Sequence, residues 1–150
     1  MLKIICVGSI KERELSSLIN EYQKRLQKYT KMEIIELPDY SYDIKNSIKL
    51  EGENILKNIN PKDYVITLEI EGKQLNSVEL AEKIRTTLIT NSNIDFIIGG
   101  SNGLSDDVKT RSNLALSFSK LTFPHQLFRL FLLEQIYRSF KIINNESYHK

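Results

Sequence analysis

The sequence predicts an α/β domain with a mostly parallel sheet and helices on both faces. Segments with strand-like and helix-like patterns alternate along the whole chain, which is typical of this fold class. The chain has 150 residues, the size of one ordinary domain. It contains no internal repeat, low-complexity stretch or interdomain linker. We therefore expect residues 1–150 to form a single domain.

Five short apolar or β-branched runs are the predicted strands. They are Leu2–Val7, Met32–Leu37, Tyr64–Ile70, Ile94–Ile98 and Leu114–Phe118. The only cysteine, Cys6, lies in the first run and is expected to be a buried packing residue. A single cysteine excludes an internal disulfide and a thiolate metal cluster.

The helices follow from apolar residues at helical spacing. A first helix is expected to end near Tyr29, and a second is weakened in its middle by Gly52. Ser77 is the predicted cap of a third helix, and Ser105 caps a short fourth one. Pro124 opens a long last helix that reaches about Ile142, because proline favours the first helical turn.

Charge is distributed unevenly although the net charge is only +2. Residues 1–108 carry 14 Lys/Arg against 17 Asp/Glu, whereas residues 109–150 carry 7 against 2. A basic C-terminal part suits a polyanionic partner such as nucleic acid, the alternative being a solvated basic surface. Two histidines and scattered carboxylates provide no metal-ligand spacing, so no metal is expected. No apolar segment reaches transmembrane length and none resembles a signal peptide, so the expected location is the cytoplasm, away from membranes.

The last helix is apolar on more than one face. Its apolar residues are Leu127, Phe128, Leu130, Phe131, Leu132, Leu133, Ile136, Tyr137 and Phe140. One face packs on the sheet and a second needs another cover, which we expect to be a partner subunit in a homodimer. The alternative is a helix buried entirely by its own chain.

Three segments are candidates for chemistry. Gly99–Leu104 is glycine-rich and follows a predicted strand, where ligands of open α/β sheets gather, although a tight turn explains it equally well. Ser117–His125 combines hydroxyls, one cation and two phenylalanines, which suits an aromatic ligand or an ordinary connection. Ser147–Lys150 offers stacking, proton transfer and phosphate contact, or is a frayed end. Arg129 and Arg138 point in different directions, so at most one flanks these loops.

These C-terminal motifs closely resemble the ribosomal RNA large subunit methyltransferase H family of the SPOUT class, over the whole chain. The matching segments are Phe96–Leu104, Ala115–Gln126, Leu133–Arg138 and Tyr148–Lys150. The resemblance implies a trefoil knot near the C-terminus, a homodimer, and S-adenosylmethionine as cofactor. It also implies methylation of N3 of a pseudouridine in the large-subunit rRNA of the assembled ribosome.

The resemblance also implies roles for individual residues. The positions that match the family's cofactor pocket are Leu68, Gly99, Phe118, Ser119, Lys120, Leu121, Thr122 and Phe123. His149 or His125 is the candidate acceptor of the N3 proton, and Tyr148 is a candidate for stacking on the base. Arg138 and Lys150 are candidates for holding RNA phosphates. The alternative function is a dimeric nucleotide- or RNA-binding protein of the same fold that transfers no methyl group.

Overall fold

Five parallel strands form one sheet in a computed structural model that describes residues 1–150. In chain order the elements are β1 (Leu2–Val7), α1 (Arg13–Leu26), β2 (Met32–Leu37), α2 (Ser47–Lys57), β3 (Tyr64–Gln74), α3 (Ser77–Thr90), β4 (Ile94–Ile98), α4 (Asp106–Arg111), β5 (Leu114–Ser117) and α5 (His125–Ile143). The sheet order is β2-β1-β4-β3-β5, and every pairing is parallel. The predicted fold class is confirmed. The trefoil knot stays a prediction.

Helices cover both faces of the sheet, and each face has its own apolar core. On one face α1, α3 and α5 pack together over alternate strand residues such as Ile4, Phe96 and Leu116. On the other face α2 and α4 cover Ile5 and Ile97, among others. Because β1 and β4 are covered on both sides, all their residues are buried, as expected for central strands of a parallel sheet. Cys6 is buried, and burial raises the pKa of its thiol to about 12.

The element boundaries differ from the sequence predictions at a few positions. Asn76, not Ser77, caps α3, because its side chain accepts from the backbone N–H of Glu79 while the Glu79 carboxylate accepts from the N–H of Asn76. The prediction for Ser105 is confirmed by its hydrogen bond from the N–H of Val108. Helix α2 continues through Gly52, where glycine is required because a side chain would collide with Ser105 of α4. No helix combines the length and the apolar character needed to cross a bilayer.

A buried charge cluster closes the amino-terminal end of the sheet. Lys3, Asp63 and Asp95 are 4%, 5% and 0% exposed. The Lys3 ammonium lies 2.9 Å from Asp63 and 3.3 Å from Asp95. Asp63 also accepts hydrogen bonds from the Asn93 side chain and the backbone N–H of Asn60, whereas neither oxygen of Asp95 has a hydrogen-bond partner.

The pKa values of the two aspartates in this cluster are shifted in opposite directions. Burial and the neighbouring Asp63 carboxylate raise the pKa of Asp95 to about 7. Burial acts on Asp63 in the same sense, but hydrogen bonds from Lys3 and Asn93 outweigh it and lower its pKa to about 2. Asp63 therefore contributes stability that is lost as the pH falls toward 2. Asp95 instead costs stability, and the cost grows as the pH rises from its unfolded-state pKa to about 7.

Replacing Asp95 with Asn should stabilise the protein above pH 7. The amide keeps the shape of the protonated carboxyl and leaves Lys3 and Asp63 as a neutral pair. We expect a gain of about 1–2 kcal/mol at pH 8, a rise in Tm of roughly 3–6 °C, that shrinks toward pH 5. Thermal unfolding across this pH range measures it. Asp63→Asn is the matched control and should destabilise the protein; a loss of stability in Asp95→Asn at pH 8 would contradict the assignment.

Candidate active site

A cavity of about 550 Å³ opens at the carboxyl ends of β3, β4 and β5. Its walls come from the end of β3, the glycine-rich loop after β4, the loop after β5 and the start of α5. The volume falls within the range of small-molecule sites in proteins. The lining residues that the sequence had singled out are Leu68, Gly99, Phe118, Ser119, Leu121, Thr122, Phe123 and His125.

An irregularity in β3 forms one wall of this cavity. Leu116 of β5 is in register with both Leu68 and Lys73 of β3, so the four residues 69–72 bulge out of the ladder. The backbones approach closely at Gly72, where an added Cβ would lie 2.7 Å from the backbone of Ala115. Glycine is therefore required there, and the bulge turns Glu69, Ile70 and Glu71 into the cavity wall.

The glycine-rich loop is held from two sides. Gly103 adopts φ +86°, which favours glycine, and its N–H donates to the carbonyl of Gly100. An added Cβ at Gly100 would lie 2.8 Å from Oε1 of Glu51, a buried carboxylate of α2. The Asn102 amide donates to Ser47 at the start of α2. The loop is therefore a tight turn that also lines the cavity, and its ligand-binding role stays a prediction.

The loop after β5 combines an aromatic group with exposed polar residues. The ring centroids of Phe118 and Phe128 are 4.9 Å apart, and those of Phe123 and Phe131 are 5.6 Å apart. Phe118 and Phe123 thus pack against α5 and line the cavity at once. Lys120 is exposed and does not contribute to the cavity wall.

The C-terminal tail is fixed to α5 by one carboxylate. Glu134 accepts two hydrogen bonds from Arg138, at 2.6 and 3.1 Å, and one from the Tyr148 hydroxyl at 3.1 Å. The Arg138 guanidinium lies 4.8 Å from the centroid of the Tyr148 ring, and its Nη1 is 3.2 Å from Nδ1 of His149. Arg138, Tyr148 and His149 therefore form one ordered cluster, which we name the tail cluster together with Glu134.

The contacts of the tail cluster restrict the protonation of its members. Burial and hydrogen bonds with Tyr22 and Glu134 raise the pKa of Tyr148, so its phenol keeps its proton. Arg138 can only donate, so Nδ1 of His149 accepts and the ring proton of the neutral imidazole lies on Nε2. In this arrangement His149 presents a donor, not an acceptor, to a ligand.

A second cavity, of about 430 Å³, lies next to the first and reaches the tail cluster at Glu134. Phe118 and Phe123 line both cavities, and Glu134 lies in the wall of the second. The sequence analysis had not identified Glu134 as a site residue, although its i, i+4 spacing to Arg138 was a signal for an ion pair.

Comparison with known proteins identifies the family. The family model described as "Predicted SPOUT methyltransferase" matches residues 1–149. The chain belongs to the SPOUT methyltransferase family. Two relatives named ribosomal RNA large subunit methyltransferase H, from Caldicellulosiruptor saccharolyticus and Clostridium botulinum, are 49% and 50% identical to it; the first alignment covers 100% of both chains and the second 99% of both. A solved structure of "a probable methylase family protein" from Haemophilus influenzae Rd KW20 has a TM-score of 0.57 at 14% identity and covers 99% of this chain and 70% of that one, which shows the shared fold.

The cavity of this SPOUT methyltransferase suits the expected cofactor, S-adenosylmethionine. Two phenylalanine rings and Leu68 offer apolar walls for a purine, and loop backbone supplies hydrogen bonds. Glu69 and Glu71 bring negative charge to the cavity wall, which suits a ligand that carries a sulfonium and an ammonium group. Glu69 is held by the Thr67 hydroxyl at 2.6 Å and by Lys109 at 4.0 Å.

The two arginines of α5 in this methyltransferase do point in different directions. Arg129 is 2% exposed and donates to Glu36 at 2.6 Å and to the carbonyl of Gly8 at 3.1 Å, so it attaches the start of α5 to the ends of β1 and β2. Arg138 belongs to the tail cluster instead. Neither arginine lines the first cavity. No group of three or more His, Cys, Asp or Glu side chains is arranged to hold a metal ion.

Replacing Gly72 with Ala should destabilise the methyltransferase. The added Cβ meets backbone atoms of Ala115, which cannot rotate away, so β5 must shift. Overpacking of this kind costs about 1–3 kcal/mol, measurable as a lower Tm in thermal unfolding. Ile70→Ala changes a 46% exposed residue of the same bulge and is the control, with stability near that of the wild type. Equal stability of both variants would refute the close approach of β3 and β5.

Proposed function

We propose that this SPOUT methyltransferase transfers a methyl group from S-adenosylmethionine to N3 of a pseudouridine in the large-subunit rRNA of the assembled ribosome. The observation that carries the proposal is the pair of adjoining cavities, one suited to the cofactor and the other bordered by the tail cluster. The names of the close relatives support rRNA as the substrate class.

The first cavity is the proposed cofactor site. Leu68, Gly99 and the loop Phe118–Phe123 would hold the adenosine, and Glu69 and Glu71 would face the positively charged groups. When bound, S-adenosylmethionine supplies an electrophilic methyl group on its sulfonium. The protein's main contribution is then positioning, because a methyl transfer needs the nucleophile in line with the breaking bond.

The second cavity is the proposed site of the acceptor base. It lies against the first through Phe118 and Phe123, and the tail cluster holds its outer wall through Glu134. The exposed Lys150 provides positive charge for RNA phosphates, and Arg138 would add only the guanidinium hydrogens that Glu134 and His149 leave free. The Tyr148 ring lies under the Arg138 guanidinium, 4.8 Å away, and perpendicular to the Tyr137 ring, 5.0 Å away, so these contacts restrict its proposed stacking on the base.

The proton that leaves N3 needs an acceptor, and the two candidate histidines differ. The lone pair of His149 Nδ1 is already engaged by Arg138, and Nε2 carries the proton. His125 lines the first cavity, and no hydrogen bond within the chain engages its ring nitrogens. We therefore assign proton acceptance to His125 and hydrogen-bond donation to the base to His149.

A methyl-transfer assay tests the proposed function directly. Ribosomes whose target position carries pseudouridine, ribosomes that carry uridine there, and free rRNA are offered with labelled cofactor, and calorimetry measures cofactor affinity separately. We expect incorporation only into pseudouridine-containing ribosomes. The His125→Asn variant should lose most of the rate, by about 10²-fold or more, with its cofactor Kd unchanged. Cofactor binding without incorporation into any substrate would leave the binding-protein alternative; no cofactor binding would refute the proposal.

The homodimer is also a proposal. The exposure of the α5 side chains limits where its interface could lie. Leu132, Leu133 and Ile136 are fully buried by the chain itself, because α1 and α3 flank α5. The apolar surface that α5 leaves exposed is smaller than the second apolar face that the sequence predicted. It contains Leu127, which is 37% exposed, and Phe131, which is 39% exposed. We propose that this strip, near the start of α5, meets the same strip of a second copy.

Phe131→Glu should convert the dimer to a monomer, and the mass is the readout because Phe131 also lines the second cavity and contacts Phe123. A carboxylate in the centre of an apolar contact loses its solvation without gaining a partner. Sedimentation at micromolar concentration measures the mass, and calorimetry checks that the cofactor still binds. Ile89→Glu, at a 70% exposed apolar residue of α3, is the control and should leave the dimer intact. A Phe131→Glu variant that sediments as a dimer would contradict the proposed interface.

A further inference from the structure

The segment Tyr22–Lys31, which contains the C-terminal half of α1 and the turn after it, is strongly basic. It carries Lys24, Arg25, Lys28 and Lys31 and no acidic residue. Cations near a helix C-terminus are favoured by the helix dipole, so the charge alone does not identify a site. The segment also contacts the tail cluster, and most of its cations form no ion pair.

Three of these four cations have no carboxylate partner. Arg25 pairs with Glu21 at 3.1 Å, and on the neighbouring α5 Lys141 pairs with Glu146 at 2.8 Å. Lys24, Lys28 and Lys31 are exposed and form no ion pair. We name these three residues the α1 lysine surface. Unpaired lysines are point charges that remain available for phosphates.

Direct contacts join this segment to the tail cluster. The Tyr29 hydroxyl donates to Glu146, two residues before Tyr148, at 2.9 Å. The rings of Tyr22, Tyr137 and Tyr148 form a chain with centroid separations of 5.9 and 5.0 Å. The Arg25 guanidinium lies over the first two of these rings, at 5.1 and 5.8 Å. Aromatic and cation–π contacts therefore link the tail to α1.

We infer that the α1 lysine surface binds the phosphate backbone of the RNA that flanks the methylated nucleotide. The inference rests on the proposed function, which places the target base at the tail cluster, and it assigns the adjoining surface to the same strand. Phosphate contacts fix the register of a bound RNA without reading its sequence, which is what a flanking surface must do. Arg25 stacks on tyrosine rings and pairs with Glu21, so it shapes the surface rather than binding freely.

A second copy of the chain does not fit this surface. The exposed apolar strip of α5, Leu127 and Phe131, lies near the start of that helix. The contacts to α1 described above involve its C-terminal half, from Tyr137 onward. Three unpaired lysines would repel their counterparts in a symmetric contact, whereas a polyanion neutralises them.

Neutralising the α1 lysine surface tests the inference. The triple variant Lys24→Gln, Lys28→Gln, Lys31→Gln is compared with Lys49→Gln, Lys57→Gln, Lys62→Gln, which removes equal charge from exposed positions on and after α2, on the other face of the sheet. Fluorescence anisotropy measures binding of an rRNA fragment that contains the target, as a function of salt. The slope of log K against log salt should fall by about two to three in the α1 variant, since each lost phosphate contact contributes roughly 0.7–0.9.

The same variants are then assayed for methyl transfer to ribosomes. The α1 variant should show a KM about tenfold higher at moderate salt, with kcat and cofactor Kd unchanged, and lysine-to-arginine replacements should restore it. An α1 variant with the same salt slope and KM as the α2 control overturns the inference. If no substrate is methylated but RNA binding still depends on the α1 lysines, the proposed function fails and the inference stands. A wild-type protein that does not bind RNA overturns both.

Discussion

The close approach of β3 and β5 at Gly72 is the constraint on which the site depends. Because no side chain separates the two backbones there, Leu116 pairs at two places on β3 and the residues between them leave the ladder. Those residues become a wall, and the end of β5 delivers the phenylalanine loop opposite it. The glycine-rich loop from β4 completes the cavity. A binding site thus arises from strand register rather than from a separate loop domain.

Helix α5 connects this cavity to the rest of the molecule through ion pairs, hydrogen bonds and apolar packing. Near its start, the buried Arg129 is tied to Glu36 and to the carbonyl of Gly8, which fixes the helix to the ends of β1 and β2. Near its end, Glu134 and Arg138 hold the tail. The apolar residues between them pack on α1 and α3. The helix therefore sets the distance between a sheet-anchored site and a tail that would otherwise be free to fray.

Much of this architecture could be predicted from the sequence, and the exceptions have physical reasons. Strand and helix periodicity located all ten elements, and motif resemblance located Leu68, Gly99 and the loop after β5. The bulge at residues 69–72 could not be predicted, because it results from the approach of β5, a strand more than 40 residues later. Glu134 was overlooked because a glutamate four residues before an arginine is ordinary on a helix surface. The apolar composition of α5 led us to expect more exposed apolar surface than the helix has, since α1 and α3 cover most of it.

The Glu134 carboxylate belongs both to the wall of the second cavity and to the support of the tail. A ligand of the cavity that contacts Glu134 would therefore be coupled to the order of the tail, and such coupling is reciprocal. A ligand that draws Glu134 toward itself weakens its hold on Tyr148 and Arg138. Conversely, a tail held elsewhere frees this carboxylate for the ligand. One side chain with a limited number of acceptor positions would thus link ligand binding in this cavity to release of the tail.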